Sequence, residues 1–129
     1  NNSVDHIVCY QVIEHVPYQK SQKVFDEMYR VLKPGAKAII ETPDIEYVCM
    51  AILQDGMTDN WMFNLVGEYY RPWDKNRYED WEHNAASIHR NPWTFERLQR
   101  FTDKFTIRRL ELDEMLYKYP ENLGVELTK

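Results

Sequence analysis

The sequence is poor in glycine and has no long apolar run. Its four glycines are Gly35, Gly56, Gly67 and Gly124. None of them belongs to a Gly-x-Gly turn after a strand, so these 129 residues contain no glycine-rich loop of the kind that binds nucleotide phosphates. No apolar run approaches the roughly 20 residues that cross a membrane, and we therefore expect no membrane-spanning helix.

The sequence is equally poor in cysteine. Cys9 and Cys49 have neither the spacing of a metal site nor that of a redox pair. Cys9 lies in an apolar run, where a cysteine usually acts as a small buried hydrophobic residue. Cysteines without a pairing pattern are typical of a reducing compartment, so we expect a cytoplasmic protein.

Acidic residues outnumber basic ones, with 21 Asp and Glu against 16 Lys and Arg and a net charge of −5 at pH 7. The field of such a chain repels nucleic acids and anionic membranes, which argues against both as partners. Hydrophobic residues make up 43% of the chain and aromatic residues 14%. That share is sufficient for a core and predicts one globular unit.

The first 42 residues have the pattern of a strand, a helix and a second strand. Val4–Tyr10 is β-branched and aromatic with little alternation, as in a parallel strand buried on both faces. Tyr18–Leu32 carries apolar residues three and four apart, which predicts an amphipathic helix that ends at Lys33-Pro34-Gly35. Ala38–Thr42 follows as a strand, so residues 4–42 form a βαβ unit.

The rest of the chain predicts a cap over residues 44–92 and then a helix with closing strands over residues 94–129. The predicted elements are a helix over Ile45–Leu53 capped by Asp44, a helix over Asp59–Val66, a packed aromatic segment over 68–92, a helix from Thr94 to Phe105, and strands over Ile107–Leu112 and Leu123–Leu127. Together with residues 4–42, these parts predict one partial domain over residues 1–129.

Several motifs, taken in order, resemble landmarks of the class I S-adenosylmethionine-dependent methyltransferases. Val4–Val8 resembles the fourth strand of that family, Val12–Val16 the Glu-His turn after it, and Glu27–Gly35 the helix and Leu-Lys-Pro-Gly turn before the fifth strand. Ala36 stands where the family has a second glycine, and His89–Thr94 resembles a later His-x-x-x-aromatic-Thr pattern. The resemblance implies an α/β fold: the C-terminal half of a Rossmann-like methyltransferase sheet, with two parallel strands, their helices and a C-terminal antiparallel strand pair.

The resemblance also implies that one wall of the cofactor pocket is absent from this sequence. In the family, S-adenosylmethionine lies between the first and fourth strands, and the glycine-rich loop follows the first strand. We therefore expect a truncated chain that does not bind S-adenosylmethionine alone and is inactive alone. Val4–Tyr10 would then be an exposed edge strand, and because such an edge tends to pair with another chain, we expect a homo-oligomer through it.

Glu14 and His15 follow the first strand, at the carboxyl end where parallel sheets form their sites. Some relatives, such as the plant small-RNA 2′-O-methyltransferases and the ubiquinone-pathway O-methyltransferases, have Glu-x-x-Glu-His there and bind a divalent metal with a later histidine. The resemblance implies such a site from Glu14, His15 and His89. Gln11 replaces the first carboxylate, however, and an amide is a poorer ligand for a hard cation. A capping Glu and a hydrogen-bonded His would explain the same residues without a metal.

Two other roles follow from the resemblance and the positions. His15 and His89 are candidate catalytic residues, with His15 as a general base for a hydroxyl acceptor, because a histidine titrates near neutral pH. Tyr10 and Gln11 resemble residues that border the methionine part of the cofactor. A place in the core would account for Tyr10 as well.

Three functions are consistent with these observations. The first is methyl transfer to an unknown acceptor, with a hydroxyl group on a small molecule or a sugar preferred. The second is a non-enzymatic half-fold that acts as a dimerisation or interaction module. The third is a nucleotide-binding Rossmann domain of another class. The Glu-His turn, the Leu-Lys-Pro-Gly turn and the alternating final strand, which is typical of an antiparallel edge, argue against the third.

Overall fold

The computed structural model describes residues 1–67 and 88–129. Its strands are β1 (Val4–Tyr10), β2 (Leu32–Pro43), β3 (Thr106–Arg109) and β4 (Asn122–Thr128). Its α-helices are α1 (Tyr18–Val31), α2 (Ile45–Asp55), α3 (Asp59–Val66) and α4 (Phe95–Phe101). Two 3₁₀ helices cover Ile13–His15 and Leu112–Glu114. The predicted aromatic segment 68–92 lies mostly outside the described residues.

The four strands form one mixed sheet in the order β1-β2-β4-β3. β1 and β2 are parallel, whereas β4 is antiparallel to both β2 and β3. This is the predicted α/β arrangement of two parallel strands and a C-terminal antiparallel pair, so the fold class is confirmed. The final strand is not an edge, however. β4 lies between β2 and β3, and Leu123, Val125 and Leu127 are fully buried.

The main core lies on one face of the sheet, between the strands and the helices α1 and α4. Cross-strand partners share a face, and the row Cys9, Ile40 and Val125 lies on this side. Phe25 of α1 and Leu98 of α4 pack onto the same cluster. The apolar stripe of α1 therefore packs on the two parallel strands, as its amphipathic pattern predicts.

Residues 110–117, which we call the strap, cover the other face of the sheet near the carboxyl ends of β1 and β2. Met115 of the strap is buried over Gly124: a Cβ atom at Gly124 would come within 2.8 Å of the Met115 Cγ atom. The carboxylate of Glu41 in β2 is fully buried and accepts the main-chain N–H groups of Leu116 and Tyr117 at 2.6 and 2.9 Å. These contacts fix the strap beside the end of β1.

Three predicted features in the first half of the chain are confirmed and one is wrong. β1 and α3 have the predicted limits, and Asp44 caps α2 by accepting the N–H of Glu46. The segment Lys33-Pro34-Gly35 is not a turn outside the sheet, because β2 already begins at Leu32. Gly35 has φ 77° and the register with β1 shifts in this region, so the glycine allows an irregularity within the strand.

Two predicted elements in the second half of the chain are shorter than expected. α4 ends at Phe101 rather than Phe105, because Thr102 leaves the helical conformation and its hydroxyl donates to the carbonyl of Leu98 at 2.8 Å. The strand predicted over Ile107–Leu112 ends at Arg109. Leu112 instead begins a 3₁₀ helix, which Glu111 stabilises through a capping box.

β1 is less buried than its apolar sequence predicts. Within the described residues, β1 is at the end of the sheet, as expected for an edge. Asp5 and His6 are exposed, and Val8 is 54% exposed, so the prediction of burial on both faces is wrong for this chain. Within residues 1–67 and 88–129, no helix combines the length and apolar character needed to cross a membrane.

Candidate functional site

The candidate site begins at the turn that follows β1. Gln11 adopts a left-handed conformation with φ 52°, which costs a non-glycine residue about 1–2 kcal/mol. Its N–H donates to the carbonyl of Glu41 at 2.8 Å, which ties the turn to β2. Ile13 is 1% exposed and anchors the 3₁₀ helix in the core. The turn thus places Glu14 and His15 at the carboxyl end of the parallel strands.

Glu14 has a buried carboxyl group with one partnered oxygen and one unpartnered oxygen. The residue is 2% exposed, and the Thr42 hydroxyl donates to Glu14 Oε2 at 3.1 Å. Glu14 Oε1 is buried without a hydrogen-bond partner and lies 3.7 Å from Nε2 of His15. Burial raises the pKa of Glu14 above 4.5, against the opposing effects of its own backbone, His15 and Thr42. An unpartnered buried oxygen is costly, and a proton or a cation at that point would relieve the cost.

His15 and His89 present their rings to each other across this site. The ring centroids are 5.0 Å apart and the ring planes are inclined at 63° to each other. His15 Nδ1 contacts the carbonyl of Ile88 at 3.2 Å, and His89 Nδ1 contacts the carbonyl of Asn64 at 2.9 Å. Because a carbonyl can only accept, Nδ1 carries the proton in both neutral rings and Nε2 carries the lone pair. Burial lowers the pKa of His89 below 6.5, and the proximity of His15 lowers it further.

The segment that carries His89 is attached to the Glu14 turn by main-chain hydrogen bonds. The carbonyl of Glu14 accepts the N–H groups of Arg90 and Asn91 at 2.8 and 3.0 Å. The structure therefore brings together all three predicted ligands and both predicted catalytic histidines, although residues 14 and 89 are far apart in sequence.

The three side chains have the chemistry of a metal site but a wider spacing. One ligand atom from each of Glu14, His15 and His89 lies within 4.8 Å of the others. One carboxylate and two imidazoles are a known ligand set for zinc and for non-haem iron. Ligands about 2.1 Å from a tetrahedral zinc ion lie about 3.4 Å apart, so ion binding would require the side chains to close by up to about 1.4 Å. Each side chain also makes a hydrogen bond within the protein, which is the structural role expected in the absence of a metal.

Tyr10 and Gln11 contact other residues than those that hold this cluster. The Tyr10 ring meets the ring of Tyr117 edge to face, with centroids 6.3 Å apart. Gln11 Nε2 donates to Asn122 Oδ1 at 3.2 Å. Gln11 is therefore engaged with β4, and it is not one of the three clustered ligands. A role for Tyr10 and Gln11 in cofactor binding stays a prediction.

Three contributors to the site were not predicted from the sequence. Thr42 donates to Glu14, Asn91 holds the segment after His89, and Glu41 holds the strap beside Tyr10. The available signal for Thr42 was its position at the end of a parallel strand next to β1. Nothing local in the sequence indicates the roles of Asn91 and Glu41, because their partners are distant in sequence.

Cys9 lies next to this site but does not contribute reactive chemistry. The residue is buried in the core, as predicted. Burial, with a smaller effect of the nearby Glu14, raises the pKa of the Cys9 thiol to about 11. The thiol is therefore protonated at neutral pH and is a poor nucleophile.

Comparison with known proteins agrees with the motifs and the sheet. Residues 1–40 match the family model of a methyltransferase domain. The whole fold matches a solved protein of Nostoc punctiforme PCC 73102 assigned as an O-methyltransferase, with a TM-score of 0.60 and 10% sequence identity. The match covers 100% of this chain and 33% of that chain, so the chain spans about a third of its solved relative. A comparison with curated proteins gives no match. The predicted resemblance is therefore confirmed, and the chain has a class I S-adenosylmethionine-dependent methyltransferase-like fold.

Proposed function

We propose that this chain contributes the acceptor side of an S-adenosylmethionine-dependent methyltransferase that acts on a hydroxyl group of a small molecule. The observation that carries the proposal is the cluster of Glu14, His15 and His89 at the carboxyl end of β1. Sites in doubly wound α/β sheets form at this end of the strands. S-adenosylmethionine, when bound, supplies the methyl group as an electrophile.

The residues of the cluster would move the proton of the acceptor hydroxyl. The lone pair of His15 Nε2 accepts that proton, and Glu14 Oε1, 3.7 Å away, stabilises the imidazolium ion that results. Burial lowers the pKa of His89, so His89 stays neutral and does not repel the charged His15 ring. Tyr10 and Gln11, at the end of β1, would border the cofactor.

The same three residues would be the ligands if the enzyme uses a divalent cation. A cation there would lower the pKa of the acceptor hydroxyl and replace the proton-accepting role of His15. The unpartnered oxygen of Glu14 favours a positive charge at this point. The spacing of up to 4.8 Å favours the metal-free arrangement.

The first experiment is a calorimetric titration of the 129-residue chain with S-adenosylhomocysteine, with and without magnesium. We expect no binding, because the sequence has no glycine-rich loop and this chain supplies one wall of the pocket. Micromolar binding would show that these residues complete a pocket and would overturn the proposal that the chain alone is inactive. A magnesium-dependent heat in the absence of S-adenosylhomocysteine would support the cation.

The second experiment reads the coding sequence upstream of Asn1. If the chain is truncated, we expect the upstream reading frame to encode a strand followed by a Gly-x-Gly turn. A stop codon directly upstream would contradict truncation and favour a non-enzymatic half-fold. We propose that the protein is cytoplasmic, and the location of a fluorescent fusion protein in the cell would test this.

A dimerisation module is the second candidate, and the exposed edge of β1 favours it. Val8 is 54% exposed on a strand at the end of the sheet, and such an edge can pair with a second copy of the chain. We expect sedimentation to give a dimer that Val8→Lys converts to a monomer. Leu53→Lys is the matched control, because Leu53 is 87% exposed on α2 and is not part of β1. A monomeric wild-type chain would exclude this candidate.

A further inference from the structure

We propose that Asn91 is a positioning residue, which holds His89 against His15 by linking α1 and α4 to the Glu14 turn. This inference rests on the proposed function, since it concerns the same cluster. Asn91 touches none of the reacting groups and acts through the main chain on either side of it. It is fully buried, and a buried amide is costly unless its hydrogen bonds are made.

Both ends of the Asn91 side chain are bound to helices. Its Nδ2 group donates to the Ser21 hydroxyl of α1 at 2.7 Å. Its Oδ1 atom accepts from Arg97 Nη2 of α4 at 2.6 Å. Ser21 is itself 1% exposed, and its hydroxyl contacts the carbonyl of Pro17 at 3.4 Å. The amide therefore joins α1 to α4, which also meet through apolar side chains and through the Gln22 amide, which donates to the carbonyl of Phe101 at 3.3 Å.

Arg97 is held in place independently of Asn91. Its guanidinium carbon lies 5.3 Å from the ring centre of Tyr18 and 5.2 Å from that of Trp93. Its Nη1 group donates to the carbonyl of Pro92 at 2.9 Å. A guanidinium fixed by two rings and a carbonyl is a firm anchor for the amide.

The main chain transmits this anchoring to the cluster. The N–H groups of Arg90 and Asn91 both donate to the carbonyl of Glu14, and His15 Nδ1 contacts the carbonyl of Ile88. Residues 88–91 and the Glu14 turn are thus bound to each other in both directions. A shift of Asn91 moves the carbonyl that orients His15 and the residue that carries His89, so both imidazoles change position.

The test compares Asn91→Ala with Thr102→Val in the 129-residue chain. Thr102 is the matched control: it is 1% exposed and bonds the Leu98 carbonyl in the same region, but it does not contact the cluster. The readouts are the NOE between the His15 and His89 rings and the ring nitrogen-15 shifts. We expect Asn91→Ala to abolish the NOE and shift the His15 Nδ1 signal. Thr102→Val should lose stability and leave both signals unchanged.

Ser21→Ala keeps the test decisive if Asn91→Ala does not fold. It removes one of the two side-chain bonds of Asn91, and we expect a weaker NOE in a folded chain. Asn91→Asp should retain the bond to Arg97 and preserve more of the NOE than Asn91→Ala. An unchanged NOE in both Asn91→Ala and Ser21→Ala would overturn the inference, as would an equal loss in Thr102→Val. These signals need no cofactor or acceptor, so failure of the methyltransferase proposal would leave this result standing.

Discussion

The close packing of the strap on Gly124 predicts that a larger side chain at this position destabilises the protein. The substitution Gly124→Ala would place a Cβ atom 2.8 Å from Met115 Cγ and 2.9 Å from Met115 Sδ. The same atom would lie 3.2 Å from Leu110 Cβ, which is close but tolerable. Because Met115 is 4% exposed, its side chain has little room to move away.

The expected cost follows from two opposing effects. Overpacking a well-packed site costs about 1–3 kcal/mol. Replacing glycine with alanine restores about 0.4–1 kcal/mol by restricting the unfolded chain. Gly124→Ala should therefore lower the free energy of unfolding by about 1–2 kcal/mol. In the Met115→Ala background the clash with Met115 is gone, so the same substitution should cost close to nothing.

A double-mutant cycle in urea measures this coupling. The four proteins are the wild type, Gly124→Ala, Met115→Ala and the double variant, and the midpoint and slope of each unfolding curve give its stability. Amide signals of Leu116 and Tyr117 should shift in Gly124→Ala, since the strap holds them on Glu41. If the two substitutions are additive within about 0.5 kcal/mol, the packing argument is refuted.

Three further predictions concern the core, the strap and the site. Phe25→Ala should lower the free energy of unfolding by about 3–5 kcal/mol, because Phe25 is 1% exposed. Thermal unfolding measures this loss, and a loss below about 1 kcal/mol would contradict the prediction. Glu41→Gln should cost about 1–3 kcal/mol in urea, because the amide places a donor against the N–H groups of the strap, and an unchanged midpoint would contradict this. His89→Gln should make the free energy of unfolding depend less on pH below pH 6.5. The lowered pKa of His89 means that the wild-type folded state binds protons more weakly than the unfolded state, so its stability falls as the pH falls. Urea curves at several pH values would show whether the wild type and variant converge.

Short-range patterns in the sequence predicted the elements well. The apolar run of β1, the caps of α2 and α4, and the limits of α3 each depend on neighbouring residues, and the structure has them. The predicted ends of α4 and β3 were wrong, because hydrogen bonds of Thr102 and of Glu111 end these elements early and distant packing then fixes the residues beyond them. Phe105, for example, leaves the helix and packs edge to face on Tyr29 of α1.

The sequence predicted which residues meet at the candidate site but not which residues hold them there. The family resemblance pointed to Glu14, His15 and His89, and the fold brings them together. The hydrogen bonds of Thr42 and Asn91 join residues that are 28 and 70 positions apart in sequence. Such contacts depend on how the sheet and helices pack, and a single sequence does not encode them locally.

The position of β4 within the sheet has a consequence for how the chain folds during synthesis. β1, α1 and β2 emerge before the rest of these residues, but β2 gains its second neighbour only when residues 122–128 have been made. Until then, one edge of β2 is open, and contacts of such long sequence separation form slowly. A ribosome-bound intermediate that ends before Asn122 should therefore bind chaperones and aggregate on release, whereas a chain that includes Thr128 should close its sheet without help.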